Sequence, residues 1–349
     1  MPTLQESFID WLQIGPQIWS PATETITMIG SLPERTRTYQ SYVFNSQHWD
    51  LYIPRPDDVV ISTSYKSGTT WVQNIVLQLI FLGQPKPALS EVSPWLDNGI
   101  SPIDEKIEKL NAQQHRRFIK SHLPLDALPY YPQVKYIVVG RDARDVFMSF
   151  WNHYSNFTDA TYARLNDPRG SIGDLLPRCP QDIHECWTNW INRGWFAWES
   201  EGYPHSGNLY HTQSWWKFRH LNNILFVHFN DLLANLTEEI RRIAGYLEID
   251  LSEEALSTIA QAVSFSSVKQ NAIRMGPMPV ESAQNTWKQG LDTFFFKGTN
   301  GRWKEVLTEA ELVMYEQAKA RVLTLDCARW LEQGRVALAS EHNTLQPYF

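Results

Sequence analysis

A run of β-branched residues that ends in a glycine-containing loop constrains the fold of this chain more than any other feature. Residues 58–65, DVVISTSY, predict a buried strand, because the apolar run is bounded by Pro56 and by the loop that begins at Lys66. The next stretch, 70–82, repeats apolar residues at three- and four-residue spacing and predicts an amphipathic helix. A strand, a glycine loop and a helix in this order predict an α/β unit.

Three further strands are predicted along the chain, and helices follow the last two of them. The strands lie within 116–124, at Tyr136–Val139 and within 222–233, and the helices begin at about Ala143 and span 236–249. Because strands alternate with helices, the pattern predicts an α/β fold in which right-handed crossovers join the strands of a parallel sheet.

The distribution of these patterns predicts one main domain, residues 51–335. Residues 1–50 show no clear periodicity and are interpreted as an N-terminal extension packed on that domain, and 336–349 as a C-terminal tail. Within the domain, 156–205 is rich in glycine, proline and tryptophan. This segment is either an insertion or lid over a site, or a merely structural excursion.

Charge and cysteine content narrow the classes of function. The formal net charge of −7 argues against a general nucleic-acid-binding surface, so an anion site must be a local cluster of positive groups. The three cysteines fit neither a disulfide framework nor a zinc site and indicate a reducing compartment. The N-terminus does not resemble a signal peptide, and the longest apolar-rich run, 71–82, is too short to span a bilayer. We therefore expect a cytoplasmic protein without stable membrane insertion.

The loop from Lys66 to Thr70 carries the residue types that bind an anion. Gly68 lets the backbone approach a ligand, and the amide groups and dipole of the following helix favour negative charge. Two threonine hydroxyls and the charge of Lys66 add further donors. The order differs from that of a Walker A loop, in which the lysine follows the second glycine. The alternative interpretation is a helix N-cap beside an exposed lysine.

Lys120 and His122 follow the second predicted strand. Histidine is the side chain whose unperturbed pKa, about 6.5, suits proton removal near neutral pH. The alternating geometry of a strand lets Lys120 and His122 face one cleft, which makes His122 a candidate base. A structural histidine is the alternative.

Two more motifs suit a phosphate. Arg141 follows the third predicted strand, where its planar guanidinium can bind a phosphate through two hydrogen bonds, and Ser149 on the next helix would complete the contact. The turn 297–304, KGTNGRWK, combines glycines with cations, although by itself it is typical of a plain surface turn.

Four motifs in this order, YKSGTTW, KSHLP, VVGRDARDVFMSFW and KGTNGRWK, resemble those of the cytosolic-type sulfotransferase family over about residues 58–309. The resemblance implies a P-loop-like three-layer α/β fold with a central parallel β-sheet flanked by helices. It also implies transfer of a sulfuryl group from 3′-phosphoadenosine 5′-phosphosulfate (PAPS) to a hydroxyl or amine of a small-molecule acceptor. The product nucleotide is 3′-phosphoadenosine 5′-phosphate (PAP), and no metal is implied.

The resemblance assigns roles to individual residues. His122 matches the general base, Lys66 the lysine that stabilises the departing bridging oxygen, and Lys120 a lysine near the transferring group. The positions that match donor-binding residues are Lys66, Ser67, Gly68, Thr69 and Thr70 for the 5′-phosphosulfate, Trp71 for adenine, Arg141 and Ser149 for the 3′-phosphate, Ser264 and Phe265 in the nucleotide site, and Lys297 and Gly298 in the later phosphate loop.

The chain departs from the family pattern at several donor positions. Phe296 stands where relatives usually carry an arginine for the 3′-phosphate, although Arg302, in place of a frequent acidic residue, would partly compensate. Phe229 replaces a tyrosine that often contacts adenine or ribose, and Val263 replaces a common threonine. The family's dimer motif is degraded within 304–313, so the resemblance leaves the oligomeric state open.

Aromatic residues near the predicted site indicate the class of acceptor. An aromatic pocket would suit an apolar hydroxyl compound such as a phenol, a sterol-like alcohol or a lipid, and core packing explains the same residues equally well. These candidate acceptor-binding residues are Trp95, Phe150, His153 and Tyr154.

Two other functions stay open from the sequence. A P-loop nucleotide kinase or hydrolase would require a GxxxxGK[ST] loop, which this chain lacks. A non-catalytic PAP-binding protein is the second alternative, motivated by the phenylalanines at 229 and 296. The spacing of histidine, aspartate and glutamate residues does not suggest a metal site.

Overall fold

Four parallel strands form the central sheet in a computed structural model of the chain, which describes residues 31–167 and 172–337. The strands are β1 Val59–Thr63, β2 Phe118–Ser121, β3 Lys135–Gly140 and β4 Ile224–His228. They lie in the order β2-β1-β3-β4, so that Val59 pairs with Phe118 on one side and with Lys135 on the other. The parallel α/β sheet predicted from the sequence is confirmed.

The helices of the described residues surround this sheet. In chain order they are α1 Thr69–Ile80, α2 Leu89–Val92, α3 Ile103–Ala112, α4 Ala143–Ser155, α5 Asp159–Leu165, α6 Ile183–Asn192, α7 Asn208–Trp216, α8 Phe229–Ala234, α9 Leu236–Tyr246, α10 Glu253–Ala262, α11 Phe265–Gln270, α12 Ala272–Met275, α13 Val280–Thr286, α14 Leu291–Phe294, α15 Glu309–Val322 and α16 Leu325–Gln333. Short 3₁₀ segments occur at Ser46–Leu51, Leu125–Ala127, Arg302–Glu305 and Arg335–Ala337. The helices predicted after β1, β3 and β4 are all present, with ends that differ by a few residues.

Successive residues of each strand enter opposite hydrophobic cores. On β3, Tyr136 and Val138 belong to one core, while Ile137 and Val139 belong to the other. This alternation follows from the two-residue period of a strand, and both faces are apolar because helices cover both. Residues of α1, α9 and α10 fill the second core, whereas those of α4, α6, α7 and α16 fill the first. The result is the three-layer arrangement expected from the sequence.

The order of the strands opens a crevice at their carboxyl ends. β1 has β2 on one side and β3 on the other, and the helices that follow β1 and β3 pack on opposite faces of the sheet. The two loops therefore diverge from neighbouring strand ends. In open α/β sheets, ligands bind in such a crevice.

Two of the sequence-based segment assignments lie partly outside the described residues. Residues 1–30 of the predicted extension 1–50 lie outside the described residues. Within the rest of the extension, Tyr39 and Trp49 are buried in the same core as α4 and α6. Most of the predicted tail, 338–349, is also outside the described residues.

The glycine- and tryptophan-rich segment 156–205 contains α5 and α6. Its Trp187 and Trp190 are buried in the first core, and residues 168–171 are not among those described. Its last residue, His205, lines the cavity described next.

Candidate functional site

A cavity of about 550 Å³ lies at the carboxyl ends of β1, β2 and β3. Each of these strand ends contributes to its wall, as expected for a crevice between diverging loops. The sequence-predicted residues that line it are Lys66, Gly68, Thr69, Thr70, Trp71, Trp95, Lys120, His122, Arg141, Ser149, Phe150, His153, Tyr154, Phe265, Lys297 and Gly298.

The side chains of Ser67 and Ser264 are not among those that line the cavity. Ser67 is fully buried, and its Oγ lies 2.6 Å from the Oγ of Ser64. Ser264 caps α11, where its Oγ accepts the backbone N–H of Ser267 at 3.3 Å. Both serine side chains therefore have local partners.

The loop between β1 and α1 has an unusual backbone conformation. Lys66 has φ +69°, and Gly68, the N-cap of α1, has φ +112°. A positive φ is unfavourable for lysine, and strain of this kind persists only where the surrounding structure enforces it. Gly68 has no side chain with which to cap α1, so the first amide groups of the helix are left for other partners.

Lys66 is held inside the cavity by aromatic and imidazole groups. Its Nζ lies 3.3 Å from Nδ1 of His153 and 4.4 Å from the ring centroid of Phe294. Burial, and next the charges of Arg141 and Lys120, lower the pKa of Lys66 to about 7. A bound anion would reverse this effect, because it stabilises the charged ammonium.

His122 is oriented by the end of the neighbouring strand. Its Nδ1 lies 2.8 Å from the carbonyl oxygen of Thr63. Because a carbonyl oxygen only accepts, Nδ1 carries the proton and Nε2 keeps its lone pair. Burial, and next the charge of Lys120, hold the pKa of His122 well below its usual range, so the ring is neutral at physiological pH. The ring packs edge-on against Trp95, with centroids 4.9 Å apart.

Asp97 connects several of these groups, although no sequence pattern pointed to it. The fully buried carboxylate accepts the backbone N–H of His122 at 3.1 Å and the indole N–H of Trp95 at 2.7 Å, both through Oδ2. The Nζ of Lys120 lies 4.4 Å from the centroid of the Trp95 ring. Burial lowers the pKa of Lys120 to about 8, while Asp97 acts in the opposite direction.

Arg141 joins the end of β3 to the turn 297–301. Its guanidinium donates to Oδ1 of Asn300 at 2.9 and 2.7 Å and to the carbonyl oxygen of Thr299 at 3.1 Å. It lies 4.1 Å from the centroid of the Phe229 ring. Burial lowers the pKa of Arg141 to about 10, Asp145 opposes this effect and Arg302 adds to it.

Phe296 and Arg302, two residues at which the chain departs from the family pattern, lie next to each other. Phe296 is 43% exposed, and the Arg302 guanidinium and the Lys297 Nζ lie 5.3 and 5.4 Å from its ring centroid. Phe296, Lys297 and Arg302 all line the cavity. In a chain whose net charge is −7, the cavity wall gathers eight basic residues, Lys66, Lys106, Lys109, Lys120, Arg141, Arg164, Lys297 and Arg302.

Tyr65 and His205 belong to the cavity wall; the sequence placed Tyr65 in the YKSGTTW motif without a role of its own and gave no indication of His205. The rings of Tyr65 and His205 stack with centroids 4.1 Å apart, and the Tyr65 hydroxyl is hydrogen-bonded to Nε2 of His153. His205 comes from the segment 156–205, which has no motif or periodicity that could have placed it here. His153 therefore acts as a polar group between Lys66 and Tyr65 as well as an aromatic one.

The part of the chain that the structure describes contains no group of three or more histidine, cysteine, aspartate or glutamate residues placed to hold a metal ion. None of its helices is long and apolar enough to cross a membrane. The site thus combines a positively charged pocket with a neutral imidazole whose Nε2 can accept a proton. This arrangement can hold a polyanion and deprotonate a nucleophile beside it.

Solved structures share this fold. Retinol dehydratase in complex with androsterone and the inactive cofactor PAP aligns with a TM-score of 0.61 at 23% identity, covering 80% of this chain and 84% of that one. A mouse sulfotransferase complexed with PAP aligns with a TM-score of 0.59 at 20% identity, covering 82% of this chain and 91% of that one.

Similarity at the sequence level identifies the family. Glycolipid sulfotransferase from Mycobacterium tuberculosis is 32% identical over 313 residues, which cover 85% of this chain and 94% of that protein. Sulfotransferase 1A1 from Rattus norvegicus is 29% identical over 282 residues, or 78% of this chain and 86% of that protein. Residues 56–321 match the sulfotransferase domain, and the chain therefore belongs to the sulfotransferase family.

Proposed function

We propose that this protein transfers the sulfuryl group of PAPS to a hydroxyl, or an amine, of a small acceptor with an apolar or aromatic body. The observation that carries the proposal is the position of His122. Its unprotonated Nε2 belongs to a ring that lines the same cavity as Lys66, Lys120 and Arg141. A base and an anion-binding cluster in one cavity match the needs of group transfer from a phosphorylated donor.

In this proposal the loop 66–70 binds the 5′-phosphosulfate. The free amide groups at the N-terminus of α1 and the Lys66 ammonium would contact the donor's oxygens. Arg141 and Ser149 line the same cavity and would hold the 3′-phosphate, with Lys297 beside them. Trp71, whose indole N–H donates to the Val263 carbonyl at 2.9 Å, would pack against adenine. Two structural neighbours hold PAP, which supports the assignment of the donor.

The reaction would then need only proton transfer and charge stabilisation from the protein. Nε2 of His122 takes the proton of the acceptor hydroxyl while its oxygen attacks sulfur. The bond between sulfur and the bridging phosphate oxygen breaks in line, and PAP leaves. Lys66 and Lys120 stabilise the negative charge that grows on the transferring sulfonate and on the departing oxygen, as cations do in phosphoryl transfer.

The acceptor side of the cavity supports a small molecule with an apolar body. Trp95, Phe150 and Tyr154 contribute aromatic surface to its wall. Androsterone and a glycolipid, named for two of the similar proteins, are hydroxyl compounds with large apolar parts. A phenol, a sterol-like alcohol or a lipid would therefore suit this pocket.

The test is transfer of radiolabelled sulfuryl from PAPS to a panel of phenols and alcohols. We expect labelled product, and we expect PAP to raise the thermal unfolding temperature more than ATP with Mg²⁺ does. Stronger stabilisation by ATP with Mg²⁺ would instead favour a nucleotide kinase or hydrolase. Stabilisation by PAP without transfer to any acceptor would favour a non-catalytic PAP-binding protein.

A further inference from the structure

His205 is a buried imidazole at the cavity wall. Its side chain is 7% exposed, and no described residue forms a hydrogen bond with either of its ring nitrogens. Of the two nitrogens, only Nδ1 is wholly shielded from solvent. Nε2 is therefore the nitrogen that a ligand in the cavity can reach. Because no described residue pairs with Nε2 and it is open to the cavity, this nitrogen is free to hydrogen-bond a group that binds there.

The orientation of His205 is fixed by the rings around it. It stacks on Tyr65 at 4.1 Å with an interplanar angle of 20°, and Phe44 meets its edge at 5.0 Å. Tyr42, on another side, donates its hydroxyl to the carbonyl oxygen of Pro204 at 2.9 Å and holds the backbone next to His205. The imidazole is thus presented to the cavity in one orientation, which is what selective binding requires.

The position of His205 relates it to the reacting group. Tyr65 packs edge-on against His122 at 5.5 Å and stacks on His205, so a single tyrosine ring separates the proposed base from the unpaired imidazole. The Tyr65 hydroxyl and both nitrogens of His153 already have partners. If the reacting hydroxyl of an acceptor lies at His122, a second group on that acceptor, about the width of one ring from the hydroxyl, would lie beside His205.

Charge determines which groups suit this position. Burial, and next the charge of Lys120, lower the pKa of His205 to about 3, and the facing rings of His122 and His153 are also neutral at physiological pH. Since only Nε2 faces the cavity, the neutral imidazole offers a ligand one hydrogen bond there, as donor or as acceptor according to its tautomer. It therefore suits a hydroxyl, which can either donate or accept a hydrogen bond, whereas a carboxylate or phosphate would gain no counter-charge from the neutral imidazole itself.

We propose that His205 is a specificity-determining residue that binds a second, non-reacting hydroxyl of a neutral acceptor. The class of acceptor is a polyhydroxylated ring, a sugar or an aromatic diol, attached to an apolar body. This inference rests on the proposed function but concerns the choice between acceptors. Sulfuryl transfer and the role of His205 can therefore fail separately.

The test compares acceptors that differ in hydroxyl number. Transfer from PAPS is measured with octyl β-glucoside against 1-octanol, and with 4-octylcatechol against 4-octylphenol. One hydrogen bond to the second hydroxyl would give a preference of about tenfold in kcat/KM for the polyhydroxylated member of each pair. His205→Phe keeps the stacking on Tyr65 but removes both nitrogens, so the preference should fall to about one, mainly through a higher KM. His205→Gln, which keeps a donor and an acceptor, should retain part of it.

His184→Phe is the matched control, because His184 does not line the cavity and its Nδ1 pairs with Glu311. This variant should keep the wild-type preference. An unchanged preference in His205→Phe, or the absence of any preference in the wild-type enzyme, would overturn the inference.

Direct binding provides a second measurement. Calorimetry on the PAP-saturated protein should show tighter binding of octyl β-glucoside than of 1-octanol, and His205→Phe and His205→Gln are compared in the same way. If no acceptor is sulfated but this His205-dependent preference persists, the proposed function fails, while the contact between His205 and a ligand hydroxyl stands. If acceptors are sulfated and bound without preference, the inference fails alone.

A His205→Phe protein that does not unfold cooperatively is replaced by His205→Gln, for which a complete loss of preference would count against the hydrogen bond.

Discussion

Nδ1 of His122 lies 2.8 Å from the carbonyl oxygen of Thr63, the last residue of the neighbouring strand. The sheet register creates this contact, because Ser62 pairs with Ser121 and the next residue of each strand end lies alongside. The carbonyl fixes the tautomer of the imidazole, the role that a carboxylate performs in a Ser-His-Asp triad. A neutral carbonyl, unlike a carboxylate, does little to raise the pKa of the imidazole.

Replacement of His122 tests its role as the base. We expect His122→Ala to lower kcat by about 10²- to 10⁴-fold, the usual contribution of general-base catalysis. The dissociation constant for PAP should change little, because in this proposal the imidazole contacts the acceptor and not the nucleotide. Calorimetric titration with PAP and single-turnover transfer assays separate the two effects. Turnover that persists in His122→Ala, with His184→Ala as the control, would remove His122 from the mechanism.

The pH dependence of kcat/KM should show the lowered pKa of His122. Its pKa lies well below 6.5 because the ring is buried, and next because Lys120 is near. A group with a lowered pKa stays deprotonated at neutral pH and gains its proton only in more acidic solution. The rate should therefore not fall between pH 8 and pH 6.5 through protonation of the base, and the acidic limb should begin below 6.5. An acidic limb centred at or above pH 6.5 would contradict this assignment.

The strands and the loops that line the cavity could be predicted because their signals are local. The β-branched run before Lys66 and the placement of Arg141 directly after β3 depend on neighbouring residues in the sequence. Once strands are recognised as parallel, their carboxyl ends must meet at one edge, so the location of the candidate anion site follows from local patterns.

The groups that orient this site depend on distant contacts. Asp97 reaches His122 from the segment after α2, and Asn300 reaches Arg141 from a turn that resembles a surface loop. His205 comes from a stretch without periodicity, and its place is set by packing on Tyr65. A single sequence carries no signal for such pairings, since they depend on how complete elements pack together.

The affinity for PAP should fall as pH rises above 7. In the unliganded protein Lys66 has a pKa of about 7 and Lys120 of about 8, both lowered chiefly by burial. As pH rises through these values the two ammonium groups lose their charge, so PAP must be bound with uptake of protons. The dissociation constant should rise by up to about tenfold per pH unit for each titrating lysine.

Calorimetry in two buffers of different ionisation enthalpy measures this proton uptake at pH 8. Lys66→Arg should reduce the uptake, because an arginine remains charged throughout this range. Equal heats in both buffers for the wild-type protein would show that Lys66 and Lys120 do not titrate with PAP binding.

Arg302 should replace the cation that is absent at position 296. It lines the cavity 5.3 Å from the Phe296 ring and lies close enough to lower the pKa of Arg141. A charge-assisted contact is worth about 1.5–3 kcal/mol, so Arg302→Ala should weaken PAP binding by about tenfold or more. Phe296→Arg in the Arg302→Ala background should restore much of the affinity.

Two controls separate a 3′-phosphate contact from a general effect of charge. Lys304→Ala removes a cation of the same turn that does not line the cavity, and its affinity for PAP should be close to that of the wild-type protein. Adenosine 5′-phosphate lacks the 3′-phosphate, so Arg302→Ala should bind it almost as the wild-type protein does. If Arg302→Ala loses affinity for PAP and for adenosine 5′-phosphate to the same extent, Arg302 does not contact the 3′-phosphate.

Gly298 should be required both for its backbone conformation and for the space beside it. It has φ +65°, and a Cβ atom at this position would lie 2.5 Å from the Phe265 ring. Gly83 has a similar φ of +71° with nothing within 4 Å of such a Cβ, which makes Gly83→Ala the matched control. Both alanine variants carry about 1–2 kcal/mol of backbone strain, which would lower Tm by a few degrees.

Only Gly298→Ala should also displace the Phe265 ring, which lines the cavity beside Lys297. We therefore expect PAP to bind Gly298→Ala at least tenfold more weakly, whereas Gly83→Ala should keep the wild-type affinity. Thermal unfolding and PAP titration of the two variants separate strain from steric displacement. If both variants lose stability to the same extent and both retain PAP affinity, Gly298 is needed for the turn alone and the Phe265 ring does not depend on it.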